Sequence, residues 1–225
     1  MRAMVLAAGR GSRLAPLTDV CPKPLLQVGS CTLLERALQG LEEAGFEQIV
    51  VNHSWLGGQI VQALEGRPGA RLQLSNEEEQ RLETGGGICQ ALPHLGEGPF
   101  AVLNADVLSD YPLERLAEKI RHWPSGQLAH LVLVPNPEHN PQGDFSVVSG
   151  RLQNQPQATF SGLSVLHPAL FEGSEAGAVF PLAPLLRRAA ERGLASAELY
   201  SGYWNDVGTP ERLQAARDWA LSPQA

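Results

Sequence analysis

Ala3-Met4-Val5-Leu6-Ala7-Ala8-Gly9-Arg10-Gly11-Ser12-Arg13-Leu14 is the stretch on which the reading of this chain turns. The apolar run Ala3 to Ala8 stops at a glycine, as a buried strand does where it gives way to a loop. From Gly9 to Pro24 there are two glycines and three prolines, Pro16, Pro22 and Pro24, so this segment is expected to be a long irregular loop and not a helix. Glycines let backbone amides approach an anion, Arg13 and Lys23 add positive charge, and the prolines stiffen the loop that carries them. It is not a Walker loop, because no Gly-Lys-Ser/Thr closes it. Nor is it a dinucleotide fingerprint, because Leu14 stands where a third glycine belongs.

Charge sharpens the reading. Residues 1–24 hold Arg2, Arg10, Arg13 and Lys23 against Asp19 alone, whereas the whole chain carries a net charge of -7. A basic loop on an acidic protein points to a small anionic ligand. The acidic balance argues against a nucleic-acid partner, which requires a surplus of cations on one face.

Beyond the loop, apolar periodicity alternates between strand and helix. Thr32 and Glu35 match a capping box, and Leu34, Ala37, Leu38, Leu41 and Ala44 form the apolar stripe of the helix they open. Strands are expected at 49–52, 71–75, 100–104 and 130–134, with helices near 56–64, 86–92 and 113–123 between them. This alternation predicts an α/β protein with a mainly parallel central sheet flanked by helices. After Pro135 shorter, partly antiparallel strands are expected at 145–148, 151–155 and 159–166, with a hairpin turn at Ser149-Gly150. Helices at 184–192 and 210–221 close the chain, the second with Thr209 as its cap and Pro210 in its first turn.

A chain of 225 residues, 43% hydrophobic and 18% charged, is the size of one domain with its own core. Cys21, Cys31 and Cys89 are odd in number and lack CxxC spacing, which predicts reduced thiols and a cytoplasmic protein. No apolar stretch approaches the roughly 20 residues of a membrane span. The histidines show no zinc spacing and there is no Gly-x-Ser-x-Gly elbow, so zinc and triad chemistry are set aside.

Two carboxylates stand out. Asp106 follows the strand 100–104, at the carboxyl end where open α/β sheets bind ligands. Asp206 lies in an aromatic, glycine-containing turn much later in the chain. Taken singly each is an ordinary turn or cap acid. Two carboxylates are also what Mg²⁺ commonly takes alongside phosphates and water. Glu83-Thr84-Gly85-Gly86-Gly87 opens a helix, and the expectation is a surface on which a base and ribose lie flat against side-chain-free backbone.

These segments together resemble a known family. Leu6-Ala7-Ala8-Gly9-x-Gly11-x-Arg13-x-x-Pro16-Leu17-Thr18, closed by Pro22-Lys23-Pro24, is similar to the signature of the sugar-1-phosphate nucleotidyltransferases. The resemblance runs on through Glu83–Gly87, Asn104-Ala105-Asp106, Phe160-Ser161-Gly162 and Trp204-Asn205-Asp206-Val207-Gly208-Thr209. Asn52–Gly57, Ala129–Val134, Gly143-Asp144-Phe145 and Phe160–Pro168 look most like the branch that joins UTP to N-acetylmuramate 1-phosphate in cell-wall recycling. Two departures are Ala105, where many relatives have glycine, and Ala15, where arginine is common.

The resemblance implies a Rossmann-like nucleotidyltransferase fold with a small mixed β sugar-binding part. It implies one domain over 1–225, with 1–135 mainly nucleotide-binding and 136–225 mainly sugar-binding plus the closing helices. It assigns catalysis to Arg13, Lys23, Asp106 and Asp206, and Mg²⁺ to Asp106 and Asp206. Nucleotide contacts fall to Ala7, Ala8, Gly9, Gly11, Arg13, Lys23, Glu83, Thr84, Gly85 and Asp106. Sugar contacts fall to Asn104, Gly143, Asp144, Ser161, Gly162 and Asn205. The partners implied are UTP and a sugar 1-phosphate, with neither nucleic acid nor membrane, and the short chain favours a monomer. Muramate carries a lactyl carboxylate, for which Arg81 and Arg151 are equal candidates. The alternatives are a mannose or glucose 1-phosphate enzyme using GTP or dTTP, and a catalytically inactive regulatory relative. The second is disfavoured because Arg13, Lys23, Asp106 and Asp206 are all present.

Overall fold

In the computed structural model, which describes residues 1–77 and 79–222, the opening apolar run is strand β1 (Arg2–Leu6). The loop after it is irregular, as its prolines require, and holds the one-turn helix α1 (Leu17–Val20) between two 3-10 turns. A short ladder of β2 (Gln27–Val28) and β3 (Cys31–Thr32) leads into α2 (Leu33–Glu43). Then follow β4 (Gln48–His53), α3 (Gly57–Leu64), β5 (Arg71–Asn76), α4 (Glu83–Leu95), β6 (Phe100–Asn104), β7 (Val107–Ser109), α5 (Glu114–Arg121) and β8 (Ala129–Val134). The second half contributes β9 (Phe145–Val148), β10 (Arg151–Leu166), α6 (Ala183–Glu191), β11 (Ala195–Leu199), β12 (Trp204–Asp206) and α7 (Pro210–Ala220).

Eight strands form the central sheet in the order β11-β8-β10-β6-β1-β4-β5, with β9 on β10. β6, β1, β4 and β5 are parallel neighbours. β10 runs antiparallel to β6, β8 and β9, so it alone is reversed within an otherwise one-directional sheet. The parallel strands β4 and β8 are nearly or wholly buried runs, as strands covered on both faces must be. One face packs on α4 and α6, the other on α2, α3 and α5. A third, smaller core lies under α7 around Leu14, Val28, Leu108 and Val207. Among the described residues no helix is long and apolar enough to cross a membrane.

Local chemistry explains the element ends. Thr32 Oγ1 accepts from Glu35 N–H at 3.1 Å and Glu35 Oε2 accepts from Thr32 N–H at 2.7 Å, the full capping box. Thr209 Oγ1 accepts from Arg212 N–H at 3.3 Å. Three expectations are corrected. The strands at 151–155 and 159–166 are one 16-residue strand, β10, whose register shifts twice against its neighbours. Bulges of this kind hold one strand together where its alternating pattern is interrupted. Helix α4 starts at Glu83, three residues earlier than Gly86. β7, β11 and β12 are short or polar and carry too few alternations to be read from sequence.

A buried polar cluster ties β8 to β11. His130 Nε2 lies 3.2 Å from Glu198 Oε1, His130 Nδ1 lies 2.8 Å from Ser196 Oγ, and Tyr111 O–H donates to Glu198 Oε1 at 2.7 Å. Burial pushes His130 below its usual pKa, outweighing the opposing hydrogen bond to Glu198. Glu198 is held at about 2, above all by the bond from His130, with burial opposing and Tyr111 adding. His130 therefore folds neutral, and the unfolded chain binds the extra proton. This stability is complete above about 6.5 and is lost as pH falls through and below it. Thermal unfolding midpoints measured from about pH 7.5 down to about pH 5 should fall, and His130→Gln should flatten that slope. A slope unchanged by the substitution would reject this origin.

Candidate active site

The site is assembled along the carboxyl edge of the sheet. Ala7 follows β1, and its N–H donates to Asn52 Oδ1 at 2.7 Å. Gly11 adopts a left-handed φ of 66°, and a β-carbon there would sit 3.0 Å from Lys23 Cβ and 3.1 Å from Thr18 Cγ2. This position needs glycine for conformation and for space. Thr18 O–H donates to Gly11 O at 2.9 Å, and Trp55 Nε1–H donates to Thr18 O at 2.8 Å. The Arg10 guanidinium lies over the Trp55 ring, 4.4 Å from its centre. The loop is thus held by its own Thr18 and by Trp55 from the turn after β4, which acts here as a packing residue.

Two carboxylates face this loop. Asp106 sits between β6 and β7, and Asp206 ends β12. β7 and β12 pair antiparallel with Asp206 opposite Val107, and Val207 N–H donates to Asp106 O at 2.8 Å. The expected pair is therefore brought together. Lys23 is 7% exposed and its Nζ forms an ion pair with Asp106 Oδ2. Arg212 Nη1 lies 2.6 Å and His139 Nε2 3.1 Å from Asp206 Oδ1. Arg13 reaches the same place: a β-carbon on Gly208 would lie 3.0 Å from Arg13 Nη2. Three permanent cations and two acids thus converge where β6 and β12 end.

The cleft over this edge has a volume of about 460 Å³. Its walls include Ala7, Ala8, Gly9, Gly11, Arg13, Lys23, Glu83, Thr84, Asn104 and Asp106, all expected from sequence, together with Asn52, Glu77 and Arg81. Sequence reasoning misses Asn52 and Glu77 as site residues. A polar residue at a strand's carboxyl end is the one signal that could have found them.

The glycine triad is a correction. Gly85, Gly86 and Gly87 are all buried. A β-carbon on Gly85 would lie 2.5 Å from Phe180 Cδ2 and 2.8 Å from Phe180 O, while one on Gly86 or Gly87 would collide with Ala178 O or Glu77 Oε1. Phe180 N–H donates to Leu82 O at 3.2 Å and Gly86 N–H to Phe180 O at 3.0 Å. The room these glycines leave is taken by the protein itself, so Gly85 is not on the cleft wall. Glu83 and Thr84 are, and Glu83 holds a left-handed φ of 60°, a conformation that costs a non-glycine residue about 1 kcal/mol or more.

The expected sugar residues divide. Asn104 lines the cleft, and Gly162 lies against it, since a β-carbon there would sit 2.7 Å from Asn104 Nδ2. Asp144 Oδ2 accepts from Phe160 N–H at 2.9 Å and from Asn140 Nδ2 at 3.2 Å, and Gly143 makes the turn before it with φ 76°. Ser161 is 1% exposed, its hydroxyl donating to Val132 O at 2.7 Å. Asn205 Nδ2 donates to Arg212 O at 2.9 Å. Asp144 Oδ2, Ser161 Oγ and Asn205 Nδ2 are therefore engaged by the protein itself, while Asn205 Oδ1 is buried without a partner. Arg151 is remote, paired with Ser196 of β11. Arg81 is at the cleft.

A metal fits this donor set. Asp106, in the turn before β7, and Asp206, on the paired strand β12, offer hard oxygen ligands, and among the described residues no third His, Cys, Asp or Glu joins them in a metal-holding group. A site with two protein carboxylates suits Mg²⁺, which completes its shell with phosphate and water.

A mainly parallel sheet with a cationic glycine loop after its first strand, facing two strand-end carboxylates, is the architecture of the nucleotidyltransferases. The chain belongs to the MobA-like NTP transferase domain family, whose model matches residues 3–197. It is 46% identical over 224 residues to the N-acetylmuramate alpha-1-phosphate uridylyltransferase of Neisseria meningitidis serogroup B, covering 96% of this chain and 97% of that one. It is 31% identical to the protein of the same name from Caulobacter vibrioides, covering 95% and 94%. Its fold matches UDP-glucose pyrophosphorylase from Acinetobacter baumanii with a TM-score of 0.80 at 18% identity, over 96% of this chain and 92% of that one.

The packing at the triad sets two opposite expectations for stability. Gly86→Ala drives a methyl into a backbone carbonyl and should destabilise by roughly 1–3 kcal/mol. Glu83→Gly relieves the left-handed strain and should stabilise by up to about 1 kcal/mol. Denaturant unfolding measures both, and a neutral Gly86→Ala would contradict the packing described.

Proposed function

We propose that this chain transfers the uridylyl group of UTP to N-acetylmuramate α-1-phosphate, giving UDP-N-acetylmuramate and pyrophosphate, as a cytoplasmic step of cell-wall recycling. The convergence of Lys23, Asp106 and Asp206 beside the glycine loop supports the chemistry. The near-full-length similarity to the Neisseria protein supports the choice of substrates. Three free cysteines accord with a reducing compartment.

A phosphate oxygen of the sugar substrate attacks the α-phosphorus in line. The bond from that phosphorus to the oxygen bridging toward the β-phosphorus breaks, and pyrophosphate leaves with the electron pair. The protein forms no covalent bond, so its contribution is positioning and charge. Arg13 binds the triphosphate tail and then the departing pyrophosphate. Lys23, released from Asp106, lies between the two phosphates and lowers their repulsion. Asp106 and Asp206 would hold a magnesium ion, which would supply charge to neutralise the phosphates. Asn104 and the Gly162 bulge border the sugar. For its carboxylate the cations in reach are Arg81 in the cleft and Arg212 beside Asp206.

The direct test is to incubate the protein with N-acetylmuramate 1-phosphate, UTP and Mg²⁺ and to weigh the product, with mannose 1-phosphate plus GTP and glucose 1-phosphate plus dTTP in parallel. A much better rate with either parallel pair overturns the substrate assignment. Lys23→Ala and Asp106→Asn should each lower kcat by about a hundredfold or more with the fold intact. Near-normal turnover in both variants rejects the roles of Lys23 and Asp106. Chelating divalent metal should stop the reaction and added Mg²⁺ restore it, whereas turnover that persists in chelator counts against Asp106 and Asp206 as its holders.

A further inference from the structure

Asn52, near the end of β4, and Glu77, just past β5, are each 3% exposed, and both stand in the cleft wall. Three hydrogen bonds run through them. Ala7 N–H donates to Asn52 Oδ1 at 2.7 Å, Asn52 Nδ2–H to Glu77 Oε1 at 2.7 Å, and Leu82 N–H to Glu77 Oε2 at 3.1 Å. The polarity is determined throughout. A backbone amide can only donate, so the Asn52 oxygen must face Ala7 and its NH₂ must face residue 77. There two donors converge, and a carboxylate is the side chain that accepts at both ends.

A carboxylate sunk this deep is costly unless it is well bonded. Holding the entry of α4 would need a single acceptor, for Leu82. The second oxygen reaches instead, through Asn52, to the root of the phosphate loop. Gly87 makes room for the pair, since a β-carbon there would collide with Glu77 Oε1 and lie 3.1 Å from Asn52 Nδ2.

We propose that Asn52 and Glu77 are positioning residues that clamp the Ala7 and Leu82 amides together and so set the gap between the two walls, the Gly9–Arg13 loop and Glu83-Thr84, into which the nucleotide fits. The inference rests on reading this cleft as the nucleotide site. The clamp touches the protein and not the reacting atoms, so its effect falls on nucleotide affinity.

The test exploits the fixed polarity. Glu77→Gln sets an NH₂ against one of the two donors, and Asn52→Asp sets two carboxylates against each other. In N52D/E77Q the middle link is reversed: the new amide donates to the new carboxylate, Ala7 and Leu82 again meet acceptors, and the net charge is unchanged. Each single variant should raise KM for UTP on the order of tenfold or more and leave KM for the sugar phosphate within about twofold. The double variant should return KM for UTP to within about threefold of the starting protein. Single variants that lose only kcat or thermal stability, with KM for UTP unmoved, overturn the proposal, as does a double variant no better than the singles. If calorimetry finds that the unsubstituted protein binds no UTP, the functional reading fails, and amide exchange at Ala7 and Leu82 decides the clamp by itself. Exchange should then be about tenfold faster in the singles and recover in the double, and equal exchange in all four proteins rejects it.

Discussion

A short antiparallel ladder between β7 and β12 holds the site together. It takes Asp106, in the turn between β6 and β7, and Asp206, which arrives late in the second half of the chain, and sets their backbones side by side. Each carboxylate is met by a cation, Asp106 by Lys23 and Asp206 by Arg212. Arg13 and Arg212 in turn crowd around Gly208, using the space a side chain there would take. The arrangement is electrostatically balanced within the protein, yet each member is the complement of a phosphate or a divalent cation. This is how a polar edge can be stable in itself and still bind a highly charged substrate.

The glycines of the chain serve two distinct ends. Gly11 is required by its left-handed backbone and by the closeness of Lys23 and Thr18. Gly85, Gly86 and Gly87 are required by the protein's own interior: Phe180, the Ala178 carbonyl and Glu77 occupy the volume that side chains would fill. A glycine run at a helix start therefore identifies close approach without saying what approaches. In this fold it is a strap of chain from the second half, and the cleft wall proper begins at Glu83 and Thr84.

The side expected to meet the sugar shows the same economy. Asp144, Ser161 and Asn205 sit where the family resemblance puts sugar contacts, but Asp144 and Ser161 bond to backbone on either side of Gly162, and Asn205 bonds to the backbone of α7. Trp204 donates its indole N–H to Ser161 O at 2.9 Å and has His139 stacked upon it. Where the β10 ladder is interrupted between Phe160 and Ser164, side-chain hydrogen bonds to backbone supply the rigidity the ladder does not.

The α/β class, the first strand and its irregular loop, the helix caps at Thr32 and Thr209, and the four charged residues Arg13, Lys23, Asp106 and Asp206 are all legible in the chain before it folds. The class, the strand and its loop, and the caps are carried by local chemistry: apolar periodicity, proline and glycine stereochemistry, or a side chain capping a nearby amide, whereas the roles of the four charged residues come from the resemblance to the sugar-1-phosphate nucleotidyltransferases. Only the folded molecule reveals that β10 is one bulged strand, that β7 and β12 bring the two acids together, that Phe180 fills the glycine triad, and that Asn52 and Glu77 join the loop to α4. All of these depend on contacts between segments distant in the chain, and a polar residue's partner leaves no trace in the residues beside it. Local patterns report which conformation a segment prefers, whereas the hydrogen-bond partner of a buried polar group is set only when the sheet closes and water is excluded.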